Sequence, residues 1–449
     1  MNEKNLFTSG PILGPLIRFS LPVLLALFLQ ALYGAVDLFV VGKFATAMDV
    51  SGVAIGSQLM TTITNLISSF SMGTTILLGR KIGEGDRDSG GRIIGTSIIM
   101  FLTAGLFLSV LVPLLSGSLA SVMQAPEESF DTARRYILIC GAGSVMIVAY
   151  NAIGSVMRGL GDSNTPLMTV AIAAVVNIAG DLILIAGLHM GAMGAALATV
   201  IAQTVSVIIS LLVLSRRKLP FTLTRKELRI EKPFMRKIIR LGTPIALQDL
   251  LVGMSFLILL AIVNTLGLIS SAGVGVAVKV CAFIMLAPLA FMQSMSAYVA
   301  QNYGAGRIDR AMKGLKIAIG ISVLFGFCMF WLSFFHGDLL CSVFSSDPDV
   351  IAAGYDYLKA YAIDCLLTCF LFCFIGFYNG LGYTGFVMLQ GISAAFLIRI
   401  PFAWLMCRMT GRLFYIGLGI PCSTVFQITL CFLFFAYIKK NRSSALYLE

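Results

Sequence analysis

The chain has 449 residues, of which 58% are hydrophobic and only 12% charged, with a mean hydropathy of +0.94. Soluble domains carry roughly 25% charged residues, so the composition excludes a soluble globular protein and reads as a polytopic membrane protein. The net charge of +11 is explained by basic loops between spans rather than by a nucleic-acid partner.

The N-terminal stretch MNEKNLFTSGPILGPLIRFS shows no cleavable signal pattern, because the first apolar run is already span-length. That run, Leu21–Gly42, carries Pro22 near one end and Asp37 near the other. Proline removes a backbone donor, and a carboxylate at membrane depth is costly and marks function. Further apolar runs of span length follow. Twelve are predicted, at about 16–42, 51–78, 92–115, 133–157, 165–188, 191–214, 237–266, 271–300, 312–335, 352–378, 385–408 and 413–438. None alternates as a barrel strand does, so all read as helices. The fold class is therefore all-α, with twelve transmembrane helices.

Basic residues set the orientation. With the N-terminus inside, 24 lysines and arginines fall in inner loops against six in outer ones, and Lys279 and Arg399 lie within spans. Both termini are then cytoplasmic. The longest basic segment joins spans six and seven and gives an N-terminal lobe of residues 1–214, a linker of 215–236 and a C-terminal lobe of 237–449.

An internal repeat supports that division. IRFSLP (17–22) matches IRLGTP (239–244), GRKIGEGD (79–86) matches AQNYGAGR (300–307), and RGLGD (158–162) matches NGLGY (379–383), all at an offset near 221. Parallel repeats of six helices are a transporter design, with substrate near the repeat interface and access alternating by rocking.

Within the first lobe, Asn177 and Asp181 are spaced i, i+4 and share one helix face. Counted at about 1.5 Å per residue from the outer ends, Asp37, Asp181 and Thr199 lie roughly 9, 10 and 13 Å deep. Two carboxylates, an amide and a hydroxyl are hard donors suited to Na⁺, and paired carboxylates also suit a proton. In the second lobe Gln248, Asp249, Lys279, Asp364 and Arg399 are the polar candidates. Asp249 with Lys279, and Asp364 with Arg399, read first as structural ion pairs. Gln30, Tyr33, Asn65 and Met254 are candidate cavity liners. The ten cysteines include no CxxC pair, and Cys365, Cys369 and Cys373 share a face as packing residues.

On these residues the chain resembles the multidrug and toxin extrusion (MATE) family of cation-coupled transporters. The resemblance rests on the early proline, VDLFVVG ending span one, the GEGD and GAGR loops, and NIAGDLILI with GAALAT. It implies a coupling-cation site at Asp37, Asn177, Asp181 and Thr199, a bend at Pro22, and export of bulky, often cationic drugs driven by Na⁺ or H⁺. The second lobe departs from part of the family: Val252 stands eight residues after Pro244 where some members carry an acid, and residues 258–260 offer no acidic partner to Asp37. No cofactor other than the coupling ion is expected, nor any enzyme activity, since no HExxH, GxSxG or P-loop occurs. The expected setting is a bacterial inner membrane, with lipid around a functional monomer. The alternative is a flippase for lipid-linked precursors. That work favours a strongly basic cavity, and two basic residues within spans count against it.

Overall fold

The computed structural model describes residues 7–216 and 227–440. Both chain termini, and residues 217–226 of the expected linker, lie outside the described residues. In the first part of the chain the helices are α1 (Leu13–Phe44), α2 (Ala47–Glu84), α3 (Arg87–Leu114), α4 (Ser116–Val122), α5 (Glu127–Ala142), α6 (Ser144–Gly159), α7 (Asn164–Asp181) and α8 (Gly191–Arg216). They continue with α9 (Lys232–Asn264), α10 (Leu268–Ile284), α11 (Leu286–Gly304), α12 (Ile308–Phe335), α13 (Gly337–Ser342), α14 (Pro348–Gly380), α15 (Thr384–Ser393), α16 (Ile400–Met409), α17 (Leu413–Gly417) and α18 (Gly419–Lys440). No strand occurs among the described residues. In hydrocarbon every backbone group must be satisfied within its own segment, and a helix does so.

Among the described residues eleven helical segments are long and apolar enough to cross a membrane, and α5 with α6, bent by 52°, make a twelfth when taken as one span. The sequence reads this fourth span as one run at 133–157, and the structure breaks it at Gly143. The reason is steric: a β-carbon on Gly141 would lie 2.6 Å from Val112 Cγ1, and one on Gly143 2.6 Å from Val200 Cγ2. Neighbours therefore press into the helix where side chains are missing. Ser109 accepts from the Val145 amide at 2.9 Å, so a donor freed at the break keeps a partner. In the second half it is the α10–α11 span that breaks, at Met285. Pro288, four residues after Ile284, has no N–H to give the Ile284 carbonyl.

The repeat is written in the backbone. After α2, Gly85 N–H reaches Ile82 O and Asp86 N–H reaches Lys81 O. After α11, Gly306 N–H reaches Tyr303 O and Arg307 N–H reaches Asn302 O, each atom pair displaced by 221 residues. The same cap closes α6 at Gly161 and α14 at Gly382, again 221 apart. All four glycines have φ between 69° and 87°, where other residues are strained, and this is the Schellman helix stop.

The chain forms two compact units, Met1–Ala246 with Ala297–Arg310, and Leu247–Ser296 with Ala311–Glu449. In the first, one core lies between α1, α2, α5 and α8 around Val41, Val53, Ile137, Ile185 and Ala196. In the second, α14 is the central helix, and its Tyr357, Leu358 and Tyr361 pack with Val274, Ala277 and Ile416.

Candidate functional site

In the first unit, α1, α5, α7 and α8 each contribute a polar pair at i, i+4. The pairs are Tyr33 with Asp37, Tyr136 with Cys140, Asn177 with Asp181, and Thr199 with Gln203. Such spacing stacks two side chains on one helix face. The buried face of α7 runs Thr169, Ala173, Asn177, Asp181, so its last two polar positions continue a stripe of small inward residues. Close packing carries them inward: a β-carbon on Gly180 would lie 2.9 Å from Ala198 Cβ. Small residues let membrane helices approach in this way.

Directly after Asp181 the helix widens into a π-helical turn, Leu182–Gly187. Such turns insert one residue and re-aim the side chains around it, and they recur at functional sites. The chain then enters α8 at Gly191, whose φ is 52°. Asp49, at the start of α2, accepts from the Ala192 amide at 3.0 Å and also completes a capping box with Thr46. A β-carbon on Gly191 would lie 2.6 Å from that carboxylate. One side chain thus anchors two helix starts beside the site.

The carboxyl groups of Asp37 and Asp181 lie close enough to interact electrostatically. Asp37 is 6% exposed, Asn177 1% and Asp181 0%. Asp37 Oδ1, both carboxylate oxygens of Asp181 and both amide atoms of Asn177 have no hydrogen-bond partner. Buried polar groups are almost always paired, and adjacent carboxylates repel unless a proton or cation lies between them. The donor set of carboxylate and amide oxygens fits Na⁺ or a shared proton. Among the described residues no group of three His, Cys, Asp or Glu could hold a metal. Softer metals, which favour nitrogen and sulfur ligands, match this oxygen site poorly.

Thr199 belongs to the outer ring of the cluster. Its hydroxyl donates to the Ala195 carbonyl at 3.0 Å and meets the Tyr136 phenol. Tyr136 lies against Gly56 of α2, where a β-carbon would collide with its ring. Cys140 sits one turn from Tyr136 and interacts with it. The Tyr33 hydroxyl lies near Gln203 and Asp37. Tyr136, Cys140 and Gln203 are absent from the sequence candidates. Gln203 shares the i, i+4 spacing with Thr199 that Asn177 shares with Asp181, and that signal could have found it; Tyr136 and Cys140 carry no such signal, because an aromatic and a thiol in an apolar run read as packing residues.

Of the cavity candidates, Gln30 and Tyr33 share the inner face of α1 with Asp37, and Gln30 Nε2 donates to the Tyr150 hydroxyl at 3.3 Å. Asn65 and Met254 are exposed on α2 and α9. Pro22 is buried inside α1, and its missing N–H leaves the Arg18 carbonyl without a helical donor.

The second unit holds the other candidates. Asp249 and Lys279 are exposed on α9 and α10, while the Gln248 amide packs on Gly391. Asp364 and Arg399 are buried in one cluster, 3% and 4% exposed. The expected ion pair is not a direct one. Asp364 accepts from Thr368 at 2.7 Å, and Arg399 donates to Ser255 at 2.9 Å with its guanidinium over Phe256. Arg399 closes a second π-helical turn, Ala394–Arg399, which turns it inward. Cys365, Cys369 and Cys373 are buried as packing residues.

Comparison with known proteins adds the family. The MatE model matches twice, at residues 22–183 and 244–405, so each match covers one copy of the repeat. A "Probable multidrug resistance protein YpnP" of Bacillus subtilis (strain 168) is 29% identical over 449 residues, covering 96% of each chain. "Multidrug export protein MepA" of Staphylococcus haemolyticus is 22% identical, covering 98% of this chain and 97% of its own. Among solved structures, the "outward-facing conformation of a multidrug resistance MATE family transporter of the MOP superfamily" aligns with a TM-score of 0.91 at 20% identity over 99% of each chain. That likeness is one of fold.

Proposed function

The chain belongs to the MatE family, and from that premise we propose that it is a cation-coupled antiporter exporting bulky, often cationic organic compounds. The observation that carries the proposal is the cluster of five unpartnered buried polar atoms on Asp37, Asn177 and Asp181. A coupling cation, Na⁺ or H⁺, relieves the repulsion between the two carboxylates. Asp37 and Asp181 supply the charge, Asn177 an amide oxygen, and Thr199 a hydroxyl.

Cation binding draws α1 toward α7, and the unsupported carbonyl opposite Pro22 is where α1 yields. The cation and the exported compound then favour different arrangements of the same helices, and each shifts the balance only through its differential affinity. Gln30 and Tyr33, two turns and one turn from Asp37, are the residues through which substrate meets the ion site. Two six-helix lobes, residues 1–214 and 237–449, alternate access, with both termini cytoplasmic in a bacterial inner membrane. The relatives named for multidrug resistance or export support the substrate class.

The test is export of a cationic dye from proteoliposomes, under an imposed Na⁺ gradient and separately a pH gradient, for wild type and Asp181→Asn. Export with one gradient, lost in the variant, supports the proposal and names the ion. Export independent of both gradients would refute it.

A further inference from the structure

The two copies of the repeat use the same turn differently. In the first, Asp86 follows the Schellman glycine and caps α3, accepting from the Ser89 amide at 3.1 Å. The Ser89 hydroxyl and amide hold the Asp86 carboxyl below the usual carboxylate range. The positions 221 residues on are Arg307 and Arg310. Arginine accepts nothing from first-turn amides, and its charge opposes the helix dipole. In the second copy the residues at these two positions offer no acceptor to α12, and what they grip instead is the chain's own N-terminal segment.

Arg310 spreads over four backbone carbonyls: Nε donates to Phe7 O at 2.8 Å, Nη1 to Gly10 O at 2.7 Å, and Nη2 to Ser9 O at 3.1 Å and Pro11 O at 3.2 Å. Arg307 donates to Thr8 O, and Asn302 to Phe7 O at 3.2 Å. The Phe7 ring, 3% exposed, packs edge-on against Phe19 of α1 and Tyr298 of α11 at 5.1 and 5.4 Å. Beneath this, α2 and α11 cross backbone to backbone at two repeat-equivalent glycines. A β-carbon on Gly83 would collide with Gln301 O, and one on Gly304 with Arg80 O. The platform is rigid, whereas the grip on residues 8–11 is polar and partly exposed.

We propose that Arg307 and Arg310 are positioning residues of the transport cycle, clasping residues 8–11 as a latch that pins the start of α1 to the α11–α12 turn and opens during turnover while Phe7 stays anchored. The inference rests on the antiport reading above. With its first turn pinned, α1 answers a change at Asp37 either by flexing at Pro22 or by releasing the latch. Main-chain carbonyls held by guanidinium groups suit release, because water replaces such donors without exposing a large apolar surface. Backbone groups opening in small cooperative units are drawn from this polar, partly solvated class.

The experiment uses the full chain in inside-out vesicles. Ser9→Cys is labelled with a membrane-impermeant maleimide, with the parent chain's labelling subtracted, at rest and during gradient-driven dye transport. Wild-type Arg307 and Arg310 should protect Cys at position 9 at rest, and turnover should speed labelling about tenfold. Arg310→Gln should label fast in both conditions and change the export kcat with little effect on KM. Arg310→Lys keeps the charge but cannot span four carbonyls and should behave like Arg310→Gln. Arg307→Gln provides the milder variant should Arg310→Gln fail to insert. Equal labelling at rest and in turnover, in a protein that exports dye, overturns the latch and leaves antiport standing. Absence of gradient-driven export in wild type overturns both.

Discussion

Asp181→Asn removes one charge from the ion cluster while keeping the shape of the side chain. A cation between Asp37 and Asp181 owes about half its attraction to each. At about 4 Å and an effective dielectric near 20, one carboxylate supplies roughly 4 kcal/mol. Relaxation and water entry reduce the loss to about 2–3 kcal/mol, equivalent to roughly 30- to 150-fold in affinity. Asp181 is fully buried, and neither of its oxygens has a hydrogen-bond partner, so no neighbouring donor competes for the lost charge. The assay is the cation concentration giving half-maximal dye export in proteoliposomes. The expected result is a shift of that size, or no cation-dependent export within the accessible range. Asp37→Asn should act alike. A half-saturating concentration unchanged in Asp181→Asn would remove the carboxylate pair from coupling.

Three further outcomes follow from other parts of the molecule. Pro22→Ala restores the donor to the Arg18 carbonyl and should slow turnover more than it changes the dye KM; equal turnover would deny the bend a role. Gly56→Ala forces Tyr136 off α2 and should cost about 1–3 kcal/mol, read as a lowered thermal midpoint in detergent, whereas Gly14→Ala, with nothing within 4 Å, serves as the silent control. The Arg92 hydrogen bond holds the Glu231 carboxyl below its usual range. A depressed folded-state pKa adds stability above the unfolded value that is lost as pH falls through the folded one. The thermal advantage of wild type over Glu231→Gln should therefore be present at neutral pH and shrink below about pH 4, and a pH-independent difference would contradict the pairing.

The long spans and the repeat were legible because both are written in local pattern. Apolar length alone dictates a helix in hydrocarbon, and the glycines of RGLGD and NGLGY dictate the same stop twice. Breaks within spans were harder. Pro288 announces the break at Met285, but Gly143 bends its span only because Val200 presses on it, and no local pattern reports that neighbour. Asp37, Asn177, Asp181 and Thr199 stand out as polar residues in apolar runs. Tyr136 and Cys140 did not, since an aromatic and a thiol look like ordinary packing until their partners are known. The N-terminal clasp was invisible for a different reason: Arg307 and Arg310 read as inner-loop charges, and their targets are carbonyls some 300 residues away.

Antiport is reciprocal, and that supplies the most direct test. In proteoliposomes with no imposed ion gradient, a steep gradient of cationic dye should drive the coupling cation in the opposite direction, followed as Na⁺ flux or as internal pH. The account predicts uphill cation movement in wild type and none in Asp181→Asn. Dye movement with no cation flux in wild type, or undiminished flux in the variant, would contradict it.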